Sequence, residues 1–390
     1  MCAANMGDIV TFRKALHAQP ELSERETETS KAIVGRLTIA GPDAIIDRLG
    51  TMKTGICAVF DSGKPGPTVL IRAELDALPI QESNTFEHRS RTEGVSHKCG
   101  HDGHMATLLA VAESLRDDPL ASGRAYLLFQ PAEETGTGAA AVIADARFQA
   151  LTPPDFVYAF HNVPKYPLGR VLVRDGLFAQ GSVGFIVKFS GRTSHSSYPE
   201  DGINPSLAVT ELVTAVNSLA GGLAGQVAAP VLGTISYAQL GVAEKGPNFG
   251  TTPGEASVMG VVRAHRSEDL LLVRAHLAAL TESLASASGL EHELSWHEAF
   301  AATTSNPQCV KIIERAAAKA AMTVERLDQA FRWSEDFGYF TDAYDGAFFG
   351  LGSGIEQPQL HDDGFDYPDE LIEIGAKLYR AIIDEHLASD

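Results

Sequence analysis

The chain is short of cysteine, of tryptophan and of positive charge. Only Cys2, Cys57, Cys99 and Cys309 occur in 390 residues, without framework spacing. That excludes a disulfide scaffold and points to a reducing compartment, so the expected location is cytoplasmic. Lys and Arg number 31 against 50 Asp and Glu, a formal net charge of −19. Such a balance argues against nucleic acid or an anionic membrane as partner, yet leaves room for an anionic small molecule held by local charge. No apolar run reads as a membrane span, and the opening MCAANMGDIVTFRKALH has no signal-peptide core. Repeats and low-complexity segments are also absent. What is present is ordinary globular composition, 44% hydrophobic, in a chain long enough for two or three buried cores.

Up to about residue 178 the pattern alternates between helix and strand. Ile9 to Ala18, Lys31 to Leu37 and Met105 to Leu115 read as helices, while ICAVF, TVLIRAELD, AYLLFQ and DFVYAFHNV read as buried strands. That order predicts an α/β domain with a largely parallel sheet. From 181 to 300 the rhythm is βαββαβ, with an Asn-capped helix in NPSLAVTELVTAVNSLAGG and a longer one in SEDLLLVRAHLAALTESLASASG. A ferredoxin-like domain over 181–300, inserted into a larger one made of 1–180 and 301–390, is therefore expected. The last zone resumes with VKIIERAAAKAAM and ends in a helix from Pro368 to His386.

Several clusters could carry chemistry. In SHKCGHDGHM, Cys99 and His101 are two apart with Gly100 between, next to a helix start that favours thiolate. Thiolate and imidazole suit zinc and similar ions. After the strand AYLLFQ comes PAEETGTG, where adjacent Glu133 and Glu134 repel unless a cation is near or one is protonated. One glutamate as metal ligand and the other as general base on water fits that pairing. The glycines of GTGAAA imitate a dinucleotide fingerprint, but they stand five residues beyond the strand behind two carboxylates and read instead as a turn. His161 closes a strand in YAFHNVP, and His361 sits in LHDDGFDYPDE ahead of the last helix. His195, in FSGRTSHSSYPEDG, lies in the inserted domain, and Arg263 at the end of EASVMGVVRAH could grip a carboxylate in two-pronged fashion.

RKALHAQPELS, LIRAELDALPIQE, KCGHDGHMATLLA, FQPAEETGTGA, HNVP, SEDFGYF and LHDDGFDYPDELIEIGAKLY, taken in order, resemble the metal-dependent amidohydrolases of the M20 peptidase clan. The nearest branch contains hippurate hydrolases, N-acyl-amino-acid amidohydrolases and plant auxin-conjugate hydrolases. The resemblance runs from Arg13 to about Ile383. It implies a mixed-sheet catalytic domain of the zinc-exopeptidase type with a lid or dimerisation insert, and two divalent ions per subunit, whether Zn, Mn, Ni or Co. By the family pattern Cys99 bridges both ions, His101 and His161 complete one, and Glu134 and His361 the other. Glu133 is the general base, and Asp76 orients a ligand. His195 stabilises the oxyanion, reaching the partner subunit's site in a homodimer, and Asn248 and Arg263 contact a substrate carboxylate. Glu74 stands where the branch has Asp, SGRTSHSSYP lacks the usual glycines, and NFGTTPGEAS is longer than the family turn. The resemblance implies hydrolysis of N-acyl amino acids or related small amides. A dipeptidase of the same clan, a thiol hydrolase using Cys99 and an inactive binding homologue are the alternatives. His97 and His104 are expected to be structural.

Overall fold

The computed structural model describes residues 3–242, 246 and 248–387. The chain divides into two compact units: Met1–Phe178 with Thr303–Phe331 and Glu335–Asp390, and Ala179–Ala302 with Arg332–Ser334.

The first unit is built on an eight-stranded sheet in the order Ala44–Leu49, Gly55–Asp61, Arg124–Gln130, Thr68–Glu74, Phe156–Pro164, Asp345–Gly354, Val171–Val173 and Val324–Arg326. The sheet is mixed. Its first two pairings and that between Asp345–Gly354 and Val171–Val173 are antiparallel, and the other four are parallel. The expectation of a largely parallel sheet therefore fits the middle and fails over the first three strands and where Val171–Val173 turns back along Asp345–Gly354, since antiparallel neighbours need no crossover helix. The central strands Thr68–Glu74 and Arg124–Gln130 are almost wholly buried, as their continuous apolar runs require.

Helix His101–Asp117 packs between the sheet and the helices Ala3–Ala18 and Glu370–Leu387. It begins four residues before the expected Met105. The missed turn, His101 to His104, is polar in sequence yet buried, so periodicity alone would assign it to a loop.

The second unit is a four-stranded antiparallel sheet in the order Leu232–Leu240, Glu255–Ala264, Gly181–Ser190, Glu291–Phe300, with helices Ser206–Asn217 and Ser267–Ser288 packed against it. This is the ferredoxin-like arrangement. Val183, Phe185, Val187 and Phe189 alternate along one strand into the core. Helix Ser267–Ser288 corrects one sequence statement, because by length and composition it could cross a membrane. Its buried residues Leu270, Val273, Leu277 and Leu284 recur at helical spacing and join the core of the unit, which is how an amphipathic core helix reads.

Candidate metal centre

Three parallel strands deliver the site, because their carboxyl ends open on the same edge of the sheet. Thr68–Glu74 leads to Asp76, Arg124–Gln130 leads to Glu133 and Glu134, and His161 lies within Phe156–Pro164. Cys99 precedes helix His101–Asp117 across Gly100, whose φ of 93° lies in the left-handed region. A Cβ there would come within 2.7 Å of Asn162 Oδ1, so glycine serves both the turn and the close approach. His361 sits on the loop between Asp345–Gly354 and Glu370–Leu387 with φ 68°, a conformation that costs a non-glycine residue of order 1–3 kcal/mol.

The sequence-predicted donors come together in two groups. Atoms of Cys99, His101 and His161 lie within 4.8 Å of one another, and so do those of Cys99, Glu134 and His361. The Cys99 thiol faces His161 Nε2 at 3.3 Å. Glu134 stands 3.8 Å from His101 Nε2 through one oxygen and 3.8 Å from His361 Nε2 through the other. Glu133 Oε2 is 4.0 Å from His101 Nε2.

Hydrogen bonds fix the ring tautomers. His101 Nδ1–H donates to the Asp76 carbonyl at 2.8 Å, and His161 Nδ1–H to the Asn162 carbonyl at 2.9 Å. In the neutral rings both Nε2 atoms then carry the lone pair and face the cluster, His161 Nε2 towards the Cys99 sulfur and His101 Nε2 towards Glu134, as metal-ligating imidazoles require. The Asp76 carboxylate accepts from Ser23 at 2.6 Å and from the Glu134 backbone N–H at 3.0 Å.

Charge is unbalanced without a cation. Burial, then the nearby Glu335 and Glu134, push Glu133 well above the usual carboxylate range. Burial, offset by His101 and reinforced by Asp76, takes Glu134 to about 7. Burial alone would lower His101, but Glu74, Asp76 and Glu134 override it and raise the imidazole to about 10. Burial, then Glu134 and Glu133, raise the Cys99 thiol well above its ordinary value. His101 Nε2 and Glu134 Oε1 are buried with no hydrogen-bond partner. Unpaired buried donor atoms amid crowded carboxylates fit a divalent cation, which would relieve both faults at once.

Around this centre lies a network of buried charges of which the sequence reading singled out Glu74, His97 and His104 but not Arg72, Glu26, Glu335 or Asp336. Arg72 is fully buried and holds Glu74, Glu335 at 2.7 Å, Asp336 at 2.5 Å and Gln130 at 2.9 Å. The Asp336 backbone N–H reaches Glu133 Oε1 at 3.3 Å, so the guanidinium network backs the glutamate pair. Buried Glu26 accepts from the Ala132 N–H at 2.8 Å and steadies the corner before Glu133, where Ala132 has φ 49°. Gly138 answers the question of the GTG segment, since a Cβ there would lie 1.6 Å from the Pro131 carbonyl oxygen. His104 bonds Glu74 at 2.6 Å and Asn162 at 2.7 Å. His97 is buried, and burial lowers it to about 4. The available signal for the Arg72 network was the charge-bearing SEDFGYF segment.

His195, Asn248 and Arg263 belong to the second unit. His195 is exposed and pairs with Thr251 in a two-residue ladder, which brings the Asn248 loop beside it. Asn248 Oδ1 accepts from its own Gly250 N–H at 2.7 Å. Arg263 Nη1 donates to the Arg332 carbonyl at 3.0 Å and Ser334 Oγ at 2.8 Å. Within this unit they do not converge. Arg263 stands near one end of strand Glu255–Ala264, and the loop with Asn248 and His195 adjoins the other. At ~3.3 Å per residue the strand separates those ends by about 25 Å.

Fold and donor set together define a divalent-metal hydrolase. A family model described as Peptidase family M20/M25/M40 matches residues 70–385, and the chain belongs to that family. It is 31% identical over 356 residues to an N-acetyl-L-cysteine deacetylase of Bacillus subtilis, covering 90% of this chain and 82% of the relative. It is 27% identical over 383 residues to a hippurate hydrolase of Campylobacter jejuni, covering 98% and 97%. Among solved structures, a Bacillus subtilis dinuclear metal-binding peptidase of the M20 family superposes with a TM-score of 0.80 at 25% identity, over 100% of both chains. The chain is a metal-dependent amidohydrolase.

Proposed function

We propose that this amidohydrolase cleaves the amide bond of N-acyl amino acids or related small amides, releasing an acyl group and an amino acid, with two divalent ions per subunit. The observation that carries this reading is the sharing of Cys99 by two donor groups, one with His101 and His161 and one with Glu134 and His361. Cys99 would bridge, the two histidines would complete one ion, and Glu134 with His361 the other. Asp76 orients His101 through its carbonyl and Glu134 through its carboxylate. When bound, the ions supply the Lewis acidity that polarises the amide carbonyl and acidifies water. Zn, Mn, Ni and Co all suit a donor set of thiolate, imidazole and carboxylate.

Glu133 takes the proton of the attacking water and passes it to the leaving nitrogen. His195 donates a hydrogen bond to the developing oxyanion. Asn248 and Arg263 hold the substrate carboxylate. A small N-acyl amino acid cannot touch both ends of one strand about 25 Å apart. Arg263 and the pair of His195 with Asn248 therefore serve one substrate only when a second copy supplies one of the two groups, which makes the working enzyme a homodimer with the inserted domain as its lid. A monomer with full activity would contradict that arrangement. The cytoplasmic placement rests on the sparse cysteines, of which Cys57, Cys99 and Cys309 are free thiols.

A thiol mechanism is disfavoured because it would leave Glu133, Glu134, His161 and His361, all clustered around Cys99 and His101, without a role. The substrate class follows relatives that deacetylate N-acetylcysteine and hydrolyse hippurate. The test is a panel of N-acetyl and N-benzoyl amino acids and dipeptides, assayed with Zn²⁺ or Mn²⁺ supplied. Cleavage of the N-acyl amino acids is expected, and turnover of dipeptides alone would transfer the chain to the peptidase reading.

A further inference from the structure

Lys98 adjoins Cys99, and its ammonium is buried at 0% exposure. A buried lysine is costly unless its charge is matched. Here Nζ donates to Glu82 Oε1 at 2.6 Å and to the Phe365 carbonyl at 2.7 Å. The backbone of the same residue works too, because the Lys98 carbonyl accepts the His361 N–H at 2.9 Å. Lys98 thus grips the loop 361–365 at both ends while sitting one residue from Cys99. Glu82 is itself held, accepting from the Ser90 N–H at 2.6 Å, from Asn84 at 3.0 Å and from His17 at 3.2 Å.

The two donor groups differ in how they are supported. His101 begins a buried helix and His161 lies in a central strand, each with Nδ1–H tied to a carbonyl. His361 sits on a loop in the left-handed region, half its side chain is exposed, and its ring makes no hydrogen bond among the described residues. Its position is set by the backbone that carries it. Left-handed backbone at a non-glycine residue persists only where the surroundings hold it.

We propose that Lys98 is a positioning residue that clamps the His361 loop to the Cys99 turn, so that the ion held by Cys99, Glu134 and His361 depends on Lys98 and the ion held by Cys99, His101 and His161 does not. This rests on the two-ion reading above. It concerns the support of one half of the site rather than the ligands themselves. The ammonium touches neither substrate nor ion and acts through His361.

The experiment is Zn²⁺ binding by equilibrium dialysis against a competing chelator, with metal counted per chain, on the wild type, Lys98→Met and the double variant K98M/E82Q. The double variant removes both charges together, so a folded chain remains available if Lys98→Met alone strands Glu82 and unfolds; circular dichroism of the metal-free chains checks folding. The expected result is two ions in the wild type. In the folded variants one ion stays at wild-type affinity and the second weakens about 10–100-fold, the usual cost of losing support behind a ligand. Two ions at unchanged affinities in a folded variant, or equal loss of both, would overturn the clamp. A wild type that binds one ion or none would overturn the two-ion reading first, and the wild-type arm makes that failure distinct.

Discussion

In the first unit Arg13, His17, Arg72, Glu74, Asp76, Lys98, Asp102, Glu335 and Asp336 are all buried. In the second unit the buried polar side chains among the described residues are Ser182, Asp269 and Thr281. The contrast extends to the candidate functional groups. In the first unit the candidate groups other than half-exposed His361 are buried or nearly so, and the charges packed behind them have several partners each, as Glu82 and Arg72 illustrate. In the second unit His195 and Asn248 are exposed on loops above an apolar core. Half-satisfied charge networks are worse than an apolar core, so the first unit sacrifices tolerance to substitution for fixed donor geometry. The second can lose its exposed polar groups without losing its fold.

That difference can be broken or sharpened by four perturbations. Glu133→Gln should lower kcat by about 10²–10⁴-fold while metal content holds; steady-state rates with metal analysis of the same sample check it, and near-normal turnover would remove Glu133 as base. Arg72→Met leaves Glu74, Glu335 and Asp336 without their shared cation and should cost about 3–5 kcal/mol of stability, read by denaturant unfolding. His195→Ala should slow turnover by about 10²–10³-fold with an unchanged melting temperature. A large drop in melting temperature for that variant would erase the contrast between the units.

The smallest effect concerns pH. Burial would lower His17, yet Asp102, Glu82 and Asp366 raise it from 6.5 to about 9. Its folded value exceeds its unfolded one, so its contribution is complete below about pH 6.5 and lost as pH rises through about 9. The melting temperature should fall across that window, and His17→Gln should flatten the slope. An unchanged slope in the variant would show that other groups set it.

Much of the arrangement was readable from residues. CGHDGH, PAEE, HNVP and LHDDG contain donors that the fold brings within reach of one another; taken singly each reads more readily as structure, and it was their order along the chain, and the resemblance it carries, that implied the ligand set. The βαββαβ insert followed from its periodicity, since one-sided strands and helices alternate cleanly around an apolar core. Lys98, Glu82 and Arg72 were not singled out. A charged side chain in a sequence reads as surface, and only folding shows which charges have been enclosed with partners. The early start of helix His101–Asp117 was missed for the same reason. Separation of Arg263 from Asn248 required the strand between them to be seen as straight and continuous.

Counting Zn²⁺ per chain in wild type and Cys99→Ala is the most direct check on the shared-thiolate centre. Two ions in the wild type and loss of both on removing the one donor common to the two groups are predicted. A Cys99→Ala chain that keeps both ions at wild-type affinity would contradict it.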